Sequence, residues 1–412
     1  MAAGLEIIYR TTTRTRTGPG VRPVRDDVAQ GRLTLLCGDD AVAIGDEMAV
    51  RVWDYREQKR LKIDLRKRSY ERCSLCAVAH ERVSGLASVA GVYEVLRAGK
   101  AEAPGDIADA EAFYGVRASD KAPAVQHELD PEGGELWLVA GAEVARVRWS
   151  EQPLAQTSLR RVLVGGLPLH PAVGADIAAR ARVPNFVRVT CPFFFEATVT
   201  EWTFESIRAC DLDVASLCAG SELGDALDES HAIARRVEPR AAGSARLEAA
   251  RANVAANRLI EGLLAAFAHA LATGHASSEL LRIIQARASW WTPARRFLRR
   301  MASDKPSAAD FSGFEKHAGG YGHVLDVFGG ERLAGSGRTV EGEQALKRAL
   351  ARDPGLTAVW VSLGELYAQR REFTAAWDCF DYARALCPSH PVVIEKVVRL
   401  ERALRAEHPQ MF

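Results

Sequence analysis

Trp360-Val-Ser-Leu-Gly-Glu-Leu-Tyr367, followed by Ala376, Phe380, Ala383 and Pro388, is the stretch whose reading decides the fold. Its spacing is W-x2-L-G-x2-Y, then A-x3-F, A and P. The geometry behind that spacing is a pair of helices. Gly364 on the first and Ala376 on the second are small enough to let the helices approach closely. Aromatic side chains fill the space around that crossing, and Pro388 ends the second helix because proline cannot continue one.

These residues resemble the signature of a tetratricopeptide repeat, with every position filled. The resemblance implies a protein-binding scaffold rather than a catalyst. One such hairpin cannot bury its own faces, so neighbours are expected. One repeat length back, Gly330, Leu333, Leu346, Ala349 and Pro354 stand at matching positions, but Asp326, Gly329 and Gly342 replace the signature residues. One length forward, Pro391-Val-Val-Ile-Glu-Lys-Val-Val-Arg-Leu is an amphipathic helix that would cap the array. A short array of two repeats and a capping helix is therefore expected over 320–412. The resemblance also implies that Ala358, Val361, Glu365, Ala368 and Gln369 face a concave, partner-binding groove. Some family members hold a C-terminal carboxylate with basic and amide residues at the positions of Val361 and Glu365. Neither residue suits that role, so acidic tails are not expected to bind.

With 412 residues, 48% of them hydrophobic, and a net charge of +1, the chain reads as an ordinary soluble protein of two or three domains. That charge balance implies neither a nucleic-acid partner nor a membrane surface. No apolar run is long enough for a transmembrane segment. Met-Ala-Ala-Gly-Leu-Glu-Ile-Ile-Tyr opens on strand-like alternation rather than a signal peptide. The expected location is periplasmic if a signal peptide has been removed and cytoplasmic otherwise.

Residues 1–225 read as strands. Leu5, Ile7 and Tyr9 alternate with polar neighbours, as do Leu33 and Leu35, and as do Leu61, Ile63 and Leu65. Period-two alternation with one polar face predicts antiparallel strands packed on one side. Acidic and polar turns separate the runs between Arg32 and Arg72, which gives a meander. A helical pattern follows over Val83 to Arg97. Strands return at Glu135 to Val139 and Glu143 to Trp149, helices near Leu159 to Val164 and His170 to Arg182, and a long strand at Thr198 to Arg208.

The strand order, the phrase Val52-Trp53-Asp54-Tyr55-Arg56 with its following Arg60-Leu61 and Ser69-Tyr70, and the closing Val199-Thr-Glu-Trp-Thr-Phe-Glu-Ser-Ile207 resemble lipoprotein-carrier-like half-barrels and related bacterial domains. That resemblance implies an incomplete barrel whose concave face can hold a lipid or acyl chain. Phe193, Phe194, Phe195, Trp202 and Phe204 are the candidate ligand-lining residues, with a filled strand core as the alternative.

Residues 226–305 read as helical. Leu259, Ile260, Leu263, Leu264, Phe267 and Leu271 share helical spacing, with Gly274 as the stop. Ser277 or Ser278 caps the next helix, and Thr292-Pro293 starts another that ends in Arg295 to Arg300. Asp304 to Gly320 reads as a linker.

Cys73-Ser-Leu-Cys76 with His80 is the one spacing with chemical potential, as a zinc clamp, a redox pair or a disulfide. A zinc site needs about four ligands and no second pair stands nearby, so structural thiols are the expectation. Arg56 to Arg72 holds eight basic and three acidic residues. It lacks the interleaved aromatics of a nucleic-acid groove and reads as a solvated strand face. The Arg295 to Arg300 cluster beside Trp290 and Trp291 reads the same way, with partner docking as the alternative. The ten histidines are scattered singly, with no metalloprotease, hydrolase or phosphate-loop motif.

The expected fold class is α+β: an N-terminal half-open antiparallel barrel, a helical middle and a short C-terminal solenoid. The expected function is non-catalytic, docking a protein partner and holding an apolar ligand, with no cofactor and no metal. The competing class is an enzyme using Cys73 and Cys76.

Overall fold

The computed structural model describes residues 3–17, 26–81, 84, 125–131, 133–139, 141–166, 169, 171–193, 196–223, 233–234, 242–288, 314–407 and 412. The chain divides into two compact units, residues 1–224 with 407–412, and residues 225–406. The fold is mixed α+β: a large open sheet in the first unit and helices in the second.

The sheet has twelve strands in the order β12-β6-β5-β4-β3-β2-β1-β11-β10-β9-β8-β7, and among the described residues it does not close. Strands β1 (Ala3–Thr17) through β6 (Ser69–Ser74) form one meander, and β7 (Val125–Leu129) through β11 (Glu196–Asp211) form another. The two join where β1 and β11 pair antiparallel along their whole lengths, from Ala3↔Asp211 to Thr17↔Glu196. A bulge at Ile8/Tyr9 inserts one residue into that ladder. At the far edge, β12 (Glu222–Leu223) pairs in parallel with Ser69 and Tyr70.

Aspartates build the hairpin turns. Asp54 Oδ1 accepts from Glu57 N at 2.9 Å, and Asp64 Oδ1 accepts from Arg66 N and Lys67 N at 3.1 and 2.9 Å. Each turn then needs one left-handed residue, Gln58 in the first and Arg68 in the second. Asp64 therefore ends β5 (Lys59–Asp64), and Leu65 falls in the turn. The expected continuation of the alternation through Leu65 is wrong: that side chain is 43% exposed.

One face of the sheet carries the main core, with Ile7, Tyr9, Leu35, Trp53, Trp137, Val187, Val189 and Trp202. Helix α1 (Gln156–Gly166) adds Leu159, Val162 and Leu163, and helix α2 (Pro171–Ala179) adds Val173 and Ile177. The opposite face of the meander is also packed. Ala43, Val52, Leu61 and Ile63 bury against Leu212, Val214 and Leu217, the last two on the short helix α3 (Val214–Cys218). The expected single-sided packing thus holds for β5 and is corrected for β3 and β4, whose Val42, Ile44 and Trp53 join the main core while Ala43 and Val52 pack on the other face. A helix lies over their second face, where alternation alone anticipates water. The helical pattern over Val83 to Arg97 lies outside the described residues, save Ser84.

In the second unit three helical hairpins share one local build. They are α4 (Ala242–Ala255) with α5 (Leu259–Thr273), α7 (Gly322–Gly335) with α8 (Thr339–Arg352), and α9 (Thr357–Gln369) with α10 (Phe373–Leu386). Helix α6 (Ser278–Ala288) follows the first hairpin. Each turn has one left-handed residue: Asn257 at φ 62°, Gly337 at φ 85° and Arg371 at φ 64°. The residue after it donates its N–H five residues back, Arg258 to Asn253, Arg338 to Leu333 and Glu372 to Tyr367, each at 2.9 Å. These are the 6→1 bonds of a Schellman close, which satisfy the last carbonyls of the first helix.

At each crossing the backbones nearly touch, so small residues face each other: Ala250 and Gly262, Gly330 and Gly342, Gly364 and Ala376. A Cβ on Gly364 would lie 2.5 Å from the Phe380 ring and 3.0 Å from Ala376 O. One on Gly262 would lie 2.7 Å from Val254 Cγ2 and 3.3 Å from Ala250 O.

The segments expected as a helical region ending near 305 and a further region from 320 both fall within one compact unit. Phe267 of α5 meets Phe328 of α7 edge-on at 5.2 Å. Thr357 Oγ1 at the start of α9 donates to Ala272 O at 2.9 Å. Gly274, left-handed at φ 77°, closes α5 directly against Pro391. Helix α5 thus runs past α7, the start of α9 and the start of the final helical segment in turn. The expected linker over 304–320 is corrected for its described part: residues 315–321 form two 3-10 turns around buried Ala318. The chain after Pro391 is helical, with a π segment at Val393–Val398 and then α11 (Arg399–Glu407).

Candidate functional site

The first helices of the second and third hairpins, with the final helical segment, line a cavity of about 300 Å³. Glu331, Ala334 and Gly335 come from α7, and Ser362, Glu365 and Gln369 from α9. Lys396 closes it from the final segment. Two carboxylates therefore converge with one ammonium. Lys396 Nζ bonds Glu365 at 2.7 Å, while Ser362 Oγ donates to Glu331 Oε1 at 3.1 Å. Glu331 is exposed as a residue, yet protein crowds its carboxylate in the concavity. That burial pushes its pKa up. The Ser362 hydrogen bond and the charge of Lys396 oppose the rise, and Glu365 adds to it.

Of the groove residues expected from sequence, Glu365 and Gln369 line this cavity. Ala358 and Ala368 are half-buried on the same helix. Val361 is corrected: it is fully buried and has no surface to offer a partner. Glu331 and Lys396 were missed. The signal for Glu331 lay in the degenerate repeat, where it follows the crossing residue Gly330 just as Glu365 follows Gly364.

Behind the cavity wall, ion pairs fix the helices. Glu343 on α8 takes Lys347 at 2.9 Å, the Tyr367 hydroxyl at 3.3 Å and Arg370 at 2.5 Å. Burial pushes the Glu343 carboxyl up, but the hydrogen bonds from Arg370 and Lys347 outweigh it and the net shift is downward. A second cluster joins α4 to the connection between α8 and α9. Arg246 donates to Asp353 through Nε and Nη2, at 3.0 and 2.5 Å, and His323 Nε2 lies 3.6 Å from Asp353 Oδ2. Burial alone would raise the Asp353 pKa; its contacts with His323 and Arg246 bring it down to about 2.

Of the candidate ligand-lining residues of the sheet, Trp202 and Phe204 have described side chains, and both pack on Tyr9. Trp202 is 4% exposed, with its ring 5.7 Å from Tyr9, and Phe204 meets the same tyrosine edge-on at 6.1 Å. The Tyr9 hydroxyl donates to Pro184 O at 2.9 Å, and burial raises its pKa. Trp202 is therefore a core residue. Phe193 ends β10 (Arg182–Phe193), and Phe194 and Phe195 lie outside the described residues, as do Trp290, Trp291 and Arg295 to Arg300.

Cys73 on β6 and Cys76 on the helix over residues 75–81 are both buried thiols outside any disulfide. Ser74 Oγ accepts from Cys76 N at 3.2 Å, so this serine stabilises the helix start. Burial lowers the His80 pKa. Among the described residues no group of three or more histidine, cysteine, aspartate or glutamate side chains could hold a metal. No described helix is long and apolar enough to cross a membrane.

No protein-family model matches this chain, and no curated protein does either. Among solved structures, one titled "Lipid-protein interactions in lipovitellin" aligns with 96% of this chain at 10% identity and a TM-score of 0.17. The chain spans half the length of that lipovitellin chain. At that TM-score the two share no established fold.

Proposed function

We propose that this protein is a non-catalytic adaptor whose helical unit is a divergent tetratricopeptide array that docks a segment of a partner protein. The cavity between α7, α9 and the final helical segment is the observation that carries this reading. It is concave, lined by polar groups from α7, α9 and the final helical segment, and small enough to grip one or two side chains. The close crossings at Gly330/Gly342 and Gly364/Ala376 support the array assignment, because they give each hairpin the shape that stacks on the next.

The test is selection of random peptides on the full chain, with Ser362→Trp filling the cavity. The expected outcome is a peptide consensus that binds the parent chain and is lost in the filled variant. Selected peptides that bind both proteins equally would place docking elsewhere and overturn the proposal.

A further inference from the structure

The cavity is not electrically neutral, and its imbalance points to a ligand chemistry. Glu331 and Glu365 face it from adjacent helices, and Lys396 is the one cation among its described lining residues. Lys396 is engaged by Glu365 at 2.7 Å. The partner of Glu331 is the neutral hydroxyl of Ser362 at 3.1 Å. Among the described residues Glu331 thus has a hydrogen bond but no ion pair of its own, and Lys396 and Arg332 act on it only at longer range. Crowding withdraws this anion partly from water and raises its pKa, against the opposing charges of Lys396 and Arg332. Gln369 at the rim offers an amide that can both donate and accept, and Leu346 and Leu366 give an apolar wall for a hydrocarbon stem. Long basic side chains combine such a stem with a charged head.

We infer that the cavity takes a lysine or arginine side chain of the docked partner segment, with Glu331 as its counter-ion. This rests on the docking reading above. The stem would lie along Leu346 and Leu366, and the charged head would reach Glu331 beside Ser362. Lys396, held by Glu365, guards the other side and repels a second cation. An acidic side chain would meet two carboxylates for one ammonium and be rejected.

The experiment screens a library of acetylated, amidated octapeptides, whose ends carry no charge, against the full chain. The expected result is enrichment of arginine or lysine at one position. The best peptide should then bind Glu331→Gln about tenfold more weakly. Lys396→Met, which removes the competing cation, should bind it more tightly than the parent. Circular dichroism melts of both variants should match the parent, since neither side chain is part of the packed core. Enrichment of acidic or purely apolar residues, or an affinity unchanged by Glu331→Gln, overturns the inference and leaves docking standing. Failure of the folded protein to enrich any peptide overturns the docking reading and this inference with it.

Discussion

The hairpins α9–α10 and α4–α5 reach the same turn from very different sequences. In the first, Trp360, Leu363, Gly364, Tyr367, Ala376, Phe380 and Ala383 fill every signature position of the two helices. In the second, Arg246, Ala249, Ala250, Asn253, Gly262, Ala266 and His269 stand at the same places relative to the turn. Both still close with one left-handed residue and a 2.9 Å bond five residues back. The residues flanking the turn have nearly equal backbone angles, −87° and 69° at Arg258, −86° and 63° at Glu372. What the two share is small size at the crossing and one residue held at positive φ. Backbone proximity makes the hairpin, and the aromatic signature fills the space that stacking leaves.

The largest test of that comparison removes Trp360. It is fully buried and its indole N–H donates to Pro354 O at 2.9 Å, so Trp360→Ala should cost about 3–5 kcal/mol in urea unfolding. A loss below about 1 kcal/mol would mean the aromatic is dispensable in α9–α10 as well.

Next in size are the crossings. Gly364→Leu and Gly262→Leu should each cost about 3 kcal/mol, because each new side chain meets backbone or a close-packed neighbour. Equal losses would show that the two crossings do the same job. A tolerated Gly262→Leu would separate the hairpins despite their matching turns.

The Trp360 position in α4 belongs to Arg246, which swaps aromatic packing for an ion pair with Asp353. That swap makes this region pH-sensitive. The folded pKa of Asp353 lies near 2, below its ordinary 3.8. Its contribution is therefore full above the ordinary value and is lost as pH falls from about 4 through about 2, amounting to about 2 kcal/mol. The stability gap between parent and Asp353→Asn should shrink across that window. A gap that stays constant from pH 6 to pH 2 would show that the carboxylate charge contributes nothing.

The smallest effect lies in the turn. Arg371 holds φ 64° where the equivalent turn has Gly337. Arg371→Gly should raise stability by about 1 kcal/mol, and Gly337→Arg should lower it by a similar amount, as read by thermal melts. Two changes of the same sign would show that side-chain contacts, not backbone strain, govern the turn.

Much of the molecule was legible because the decisive forces there are local. The strands over Glu135–Val139 and Glu196–Asp211, the helices Gln156–Gly166 and Leu259–Thr273, and the Gly274 stop follow from periodicity, turn aspartates and backbone freedom. Glu365 and Gln369 were expected on the inner surface from the resemblance to tetratricopeptide repeats, and both line the cavity. Glu331 and Lys396 were not expected there. They reach the cavity by packing of helices 31 residues apart on either side of their partners Ser362 and Glu365.

The sequence by itself determined most of the strand and helix runs, the close Gly364–Ala376 crossing of the Trp360 hairpin, and the antiparallel pairing of the β1 to β6 meander. Those outcomes depend on contacts within a few residues or on one face of one element. Only the tertiary structure decided that α3 covers the second face of the meander, that Trp202 joins a filled core, and that α4–α5 folds with the later hairpins as one unit. Each of these depends on burying an apolar face against a partner distant in sequence, and the hydrophobic effect that drives it is non-directional. It fixes how much surface must be covered, and the three-dimensional packing chooses what covers it.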